Sequence, residues 1–251
     1  MKTDFHVIIP ARYQSLRLPG KLLMDIDGIT VLERVYRQAI QAKPQSITIA
    51  TDSHTIMEQA HAFGATAMMT SAEHTSGTDR IAEVVEKQGF SKEDIVVNVQ
   101  GDEPFIAPEL IAQVAHSLAS STAPMATLCW PVASVDELAN ANVVKVVRDK
   151  DDYALYFSRA MIPAHRDSTG SIEHAFRHIG LYAYRAMFLK IITELPMCAI
   201  EQAEALEQLR VLWAGHKIKV DTACVAPQQD INTASDLTQA RLFAIDARRT
   251  Q

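Results

Sequence analysis

The strongest constraint on this chain is a rhythm in its first half. Short, almost wholly apolar runs alternate with stretches of helical period. HVIIP (6–10), SITIATD (46–52), ATAMMT (65–70), DIVVNVQ (94–100) and MATLCWPV (125–132) are the runs. A strand that is apolar on both faces must be covered on both faces, as parallel strands are by their crossover helices. Between the runs lie predicted helices over Thr30 to Ala42, Ser53 to Phe63, Thr78 to Gln88 and from Pro108. Thr30 with Glu33 suits a capping box, and Gly64 and Gly89 sit where helices end. The pattern predicts an α/β fold with a mostly parallel, doubly wound sheet.

The second half breaks the rhythm. VVKVVRD (143–149) and YALYFSR (153–159) are close enough to pair antiparallel, and HIGLYAYR (178–185) is a further strand. A helix is expected over 199–213, then a strand over 217–223 and a last helix from Ser235. The expectation is a single domain over 1–251, with a smaller β-rich subregion at about 140–200.

Several function classes are excluded by composition. A net charge of −6 argues against a nucleic-acid coat. The N-terminus carries no secretory pattern, and no apolar stretch approaches the ~20 residues a membrane span needs. Cys129, Cys198 and Cys224 form no C-x-x-C pair and read as free thiols of a reducing compartment.

Ligands of open α/β sheets bind beyond the carboxyl ends of the strands. Four polar clusters fall there. PARYQSLRLPGK follows the first strand and places Arg12, Arg17 and Lys21 together against an acidic background. It lacks the glycines of both the Walker A and the dinucleotide loops. A loop with two Arg and one Lys can still clamp a polyphosphate, and we favour that reading over a solvated basic loop. ATDS contributes Thr51 and Asp52. SAEHTSGTDR ends in Ser76, Gly77 and Arg80 at a helix start, where Ser76 or Thr78 serves as a cap or faces an anion. QGDEP places Asp102 as either a turn residue or a Mg²⁺ ligand. Together, the cations and the carboxylate suit nucleotidyl transfer.

Later in the chain, Arg159 and His178 could grip a carboxylate, with His178 alone reading as a structural histidine. In EALEQLRVLW (204–213), Leu206, Leu209, Leu212 and Trp213 make an apolar face, and Glu207 and Arg210 are spaced to pair.

PARYQSLRLPGK, ATDS, SGTDR, VNVQGDEP, YALYFSRAMIP, RHIGLYAYR and EALEQLRVLW occur in that order. Together they resemble the 3-deoxy-manno-octulosonate cytidylyltransferases, or CMP-Kdo synthetases, from about residue 5 to 243. The resemblance implies a Rossmann-like nucleotide-diphospho-sugar transferase fold. It implies transfer of CMP from CTP to the acid sugar Kdo with release of pyrophosphate, for lipopolysaccharide assembly. It also implies Mg²⁺ and a cytoplasmic homodimer. Carried over by motif, Arg12 and Lys21 hold the triphosphate with Arg17 beside them. Thr51, Asp52, Ser76, Gly77 and Arg80 line the cytidine pocket. Gln100 touches the sugar, Asp102 binds Mg²⁺, and Arg159, His178, Glu207 and Gln208 hold Kdo, the first two near its carboxylate.

The chain departs from that pattern at INTASDL, where Asn232 replaces a metal-binding Asp, and Asp230 two residues earlier could substitute. Three other readings compete. The sugar could be 8-amino-Kdo or a sialic acid. A metal-dependent glycosyltransferase would need an Asp-x-Asp pair where this chain has GDE. A nucleotide-binding protein without turnover is the non-enzyme alternative.

Overall fold

The computed structural model describes residues 3–15, 18–166, 171–228 and 230–249. Strand β1 (His6–Ala11) is followed by a short hairpin, β2 (Asp25–Ile26) and β3 (Ile29–Thr30), and by helix α1 (Val31–Gln41). Then come β4 (Ser46–Thr51), α2 (His54–Ala62), β5 (Thr66–Met69), α3 (Gly77–Gln88), β6 (Ile95–Asn98), α4 (Pro108–Ala119) and β7 (Met125–Pro131). The second half holds α5 (Val135–Ala139), β8 (Lys145–Arg148), β9 (Ala154–Ser158), β10 (Phe176–Arg185), α6 (Ala186–Glu194), α7 (Ala199–Glu204), α8 (Gln208–Trp213), β11 (Ile218–Thr222) and α9 (Ala234–Arg249). Among the described residues, no helix is long and apolar enough to cross a membrane.

One mixed sheet organises the chain, in the order β11-β7-β10-β6-β1-β4-β5. β1 runs parallel to both β4 and β6, with Ile8 opposite Thr48 on one side and Asn98 on the other. β10 alone is reversed along this path, antiparallel to β6 and β7. The predicted β8–β9 antiparallel pair forms and joins β10 at Phe176 opposite Val146. The sheet is therefore mostly parallel, with a smaller antiparallel part, as the runs foretold.

The double coverage is visible in β1. Val7 and Ile9 enter one core layer, packed with Leu110 and Val114 of α4, while Ile8 enters the other, with Ile81 and Val84 of α3. All three β1 side chains are fully buried, each worth ~1.5–3 kcal/mol in apolar transfer.

Local chemistry sets the helix ends. The Thr30 hydroxyl accepts from the Glu33 N–H, but the Glu33 carboxylate pairs with Arg37 at 2.6 Å, so the hydroxyl half of the expected capping box is what holds α1. A complete box lies at α3, where Ser76 and Asp79 satisfy each other's backbone N–H.

The structure corrects the reading of 199–213. Ala205 adopts φ 50°, ψ 51°, which ends α7 and starts a second helix three residues on. The turn reorients the following face: Leu206 and Leu209 are buried, but Trp213 is 64% exposed, with Val211 buried in its stead. Arg210 pairs bidentately with Glu201, at 2.5 and 2.9 Å, instead of with Glu207. Helix α6 was not expected at all.

Candidate active site

The chain leaves β1 for β4 on one side and returns to β6 on the other, so the sheet's switch point lies between β1 and β6. The loops after these two strands meet there. Gly101 makes the approach possible: a Cβ on it would stand 3.0 Å from the Pro10 carbonyl oxygen. Gly20 turns the basic loop back with φ 69°, and its N–H donates to Tyr13 O. A cavity of about 340 Å³ results, lined by Arg12, Lys21, Ser76, Gly77, Arg80, Gln100, Asp102 and Asn232 among others. Arg17 lies outside the described residues.

Within this cavity Lys21 Nζ donates to Asp102 Oδ2 at 2.5 Å and to the Ile231 carbonyl at 2.8 Å. Three loops, after β1, after β6 and before α9, thus converge on one ammonium. The N-terminus of α3 faces the same space through Ser76 and Gly77. Arg80 of that helix is buried and donates to Asp52 at 2.8 Å, to the Thr70 hydroxyl and to Ser71 O at 3.3 Å. Thr51 and Asp52 do not line the cavity. Thr51 is fully buried and accepts from the Ser53 N–H, and Asp52 anchors Arg80.

Two further spaces adjoin, one smaller and one larger than this cavity. One, about 150 Å³, is lined by Thr78, Asn98, Gln100, Tyr182, Tyr184, Glu207 and Gln208. Burial raises the Glu207 carboxyl against a hydrogen bond from Thr78, and burial raises both tyrosines. The other, about 550 Å³, is lined by Gln100, Asp102, Glu103, Asn142, His178 and Asp230 among others. Gln100 faces all three spaces and donates to Asn98 Oδ1 at 3.2 Å.

His178 is a neutral imidazole, pushed down to about 3 by burial. Its Nε2 lies 3.0 Å from Thr127 Oγ1, whose single proton is claimed by the Ile179 and Leu181 carbonyls at 2.9 and 2.8 Å. Nε2 therefore carries the proton and Nδ1 is an acceptor, which suits a hydroxyl better than the carboxylate expected for it. Arg159 lines none of these spaces. It donates to the carbonyls of Glu204 (2.6 Å), Ala141 (3.0 Å) and Ala205 (3.4 Å).

Glu103 is pushed up to about 8, first by burial and then by the charges of Asp102 and Asp230. The Asn232 amide donates to Asp230, so these two residues stand in contact. Among the described residues no group of three or more His, Cys, Asp or Glu is arranged to hold a metal. Asp102 and Asn232 together suit a hard cation that draws its other ligands from phosphate and water.

Sequence reasoning passed over His74, Asn98, Tyr182 and Tyr184. The tyrosines had a signal, since alternate residues of β10 share a face, but a register shift between Ile179 and Tyr182 hides which face. His74 lines the basic cavity and is held by Glu83 at 2.5 Å.

Known proteins resemble this chain along almost its whole length. The 3-deoxy-manno-octulosonate cytidylyltransferase of Legionella pneumophila (strain Lens) is 58% identical over 246 residues, 98% of this chain and 98% of that protein. Its counterpart in Vibrio vulnificus (strain YJ016) is 52% identical, covering 95% and 97%. A solved structure of CMP:2-keto-3-deoxy-manno-octonic acid synthetase complexed with CTP superposes with a TM-score of 0.91 at 38% identity, covering 97% of this chain and 99% of that one. The cytidylyltransferase family pattern itself spans residues 6–218. With its switch-point cavity and full-length relatives in agreement, the chain belongs to the cytidylyltransferase family.

Proposed function

We propose that the protein transfers CMP from CTP to 3-deoxy-manno-octulosonate, releasing pyrophosphate. The observation that carries this reading is the loop Gln100–Gly101–Asp102. It forms one wall of the basic cavity and one wall of the sugar-sized spaces, so two anionic substrates would meet across it.

In this reading Arg12 and Lys21 hold the triphosphate, and the N-terminus of α3 adds its dipole. The α-phosphorus then sits at the Gln100–Asp102 edge. Glu207, Gln208, Gln100 and the His178 Nδ1 acceptor orient the sugar so that its anomeric hydroxyl points at that phosphorus. The new O–P bond forms as the bond from the α-phosphorus to the oxygen bridging to the β-phosphate breaks; the hydroxyl proton passes to solvent and pyrophosphate leaves with the bond's electron pair. Bringing two anions together requires positioning and charge screening, which the cations and donors lining these spaces supply. Asp102 and Asn232 would hold Mg²⁺, which supplies charge neutralisation at the phosphate oxygens when bound.

A homodimer and a cytoplasmic setting go with this reading. Edge strand β9 exposes Leu155, and α8, packed on β9, exposes Trp213, a surface suited to a second copy. The test is pyrophosphate release with CTP, Mg²⁺ and Kdo, with 8-amino-Kdo and sialic acid as competing acids. Release with Kdo well above the others is expected; release with none removes the reading.

A further inference from the structure

Among the described residues, Lys145 is one of the largest side chains that the fold buries completely. An ammonium taken out of water costs several kcal/mol unless its protons are matched. Here they are: Nζ donates to Val143 O at 2.6 Å, Arg159 O at 2.7 Å and Asn140 O at 3.0 Å. Two of those carbonyls belong to the loop before β8 and the third to the end of β9. Arg159 extends the connection. Its guanidinium bonds Ala141 of the same loop and Glu204 and Ala205 at the α7–α8 break. Glu204 closes the circuit, accepting from the Ser158 hydroxyl at 2.6 Å and from the Arg159 N–H at 2.9 Å.

Both anchored segments lead directly into the site. The loop continues into Asn142, Val143 and Val144, a wall of the larger sugar-side space. The break continues into Glu207 and Gln208, a wall of the smaller one. No cavity described above is lined by Lys145 itself. We propose that Lys145 is a positioning residue: through the Lys145–Arg159–Glu204 hub it fixes the two walls of the acid-sugar site relative to each other. The proposal rests on the reading of those spaces as the sugar site. It makes Arg159 a brace more than a contact to the sugar carboxylate. Burial lowers the Lys145 ammonium, with the Arg159 charge acting the same way and Glu204 opposing, which agrees with a tightly packed hub.

The test compares the full-length protein with Lys145→Met and with Glu204→Gln, which keeps the shape of the circuit should the first variant fail to fold. The KM for Kdo should rise about ten-fold or more in Lys145→Met, and less in Glu204→Gln, with the KM for CTP and kcat nearly unchanged. Equal rises in both KM values, or no rise for Kdo, overturn the proposal. Backbone hydrogen exchange gives an answer independent of turnover. Residues 140–144 and 204–208 should exchange faster together while β1 and α3 do not; unchanged exchange in both segments overturns the hub. Loss of turnover by the unmodified protein with every acid would remove the substrate reading instead.

Discussion

Lys21 Nζ stands 2.5 Å from Asp102 Oδ2, so the cation of the loop after β1 closes on the carboxylate of the loop after β6 across the switch point. Each keeps part of its surface open to the cavity, with 12% and 23% of the side chain exposed. Such a pair holds the loops in register and still presents both charges to a substrate.

Replacing Asp102 by Asn keeps the size and removes the charge. We expect turnover to fall ~10³-fold or more, while stability changes by no more than ~1–2 kcal/mol because the pair is partly solvated. Near-normal turnover in this variant would take Asp102 out of the mechanism.

Asn232 touches Asp230, whose charge also acts on Glu103. Asn232→Asp adds a carboxylate to this group. The expected result is a several-fold lower Mg²⁺ concentration at half-maximal rate, with a lower Tm in metal-free buffer from repulsion by Asp230. An unchanged Mg²⁺ curve would show that position 232 is not a ligand.

His178 carries a pH signature. Its native value lies near 3, below its ordinary 6.5, so between these values the unfolded chain binds a proton that the native chain does not. Stability must then fall as pH drops from 6.5 towards 3, and this group contributes nothing above 6.5. The ring borders an open cavity, so the slope is at most ~1 kcal/mol per pH unit. Denaturation of the wild type and His178→Gln at pH 4 to 7 should show the wild type losing more stability than the variant as pH falls. Parallel curves would mean that the imidazole is not held neutral.

Ala205 carries a Cβ in the left-handed region at the break between α7 and α8. Ala205→Gly should raise stability by about 0.5 kcal/mol, the relief of that contact exceeding the entropy of an added glycine. Ala205→Val should lower it by more than ~1 kcal/mol. A glycine variant less stable than the wild type would indicate that the alanine methyl packs usefully.

Much of the sheet was legible because β1, β4, β6 and β7 are buried on both faces, and a run such as IVV or VII has few other homes. Helix α6, AMFLKIITE, was missed since Arg185 before it offers no side-chain cap and its face is apolar almost all round. The break at Ala205 carries no glycine to announce it. In the site, strand-end position was readable but orientation was not. Thr51 and Asp52 occupy the predicted strand end yet turn to Ser53 and Arg80. Arg210 had an acid at helical spacing, but tertiary packing brought the buried Glu201 instead. Spacing along a chain identifies candidates for contact, and burial decides between them.

The most direct measurement is pyrophosphate release from the purified protein with CTP and Mg²⁺, comparing Kdo, 8-amino-Kdo and sialic acid. The account predicts release with Kdo, abolished by Asp102→Asn and weakened at low Mg²⁺. CTP binding with no release from any of the three acids would contradict it, leaving a basic cavity that holds a nucleotide without transferring it.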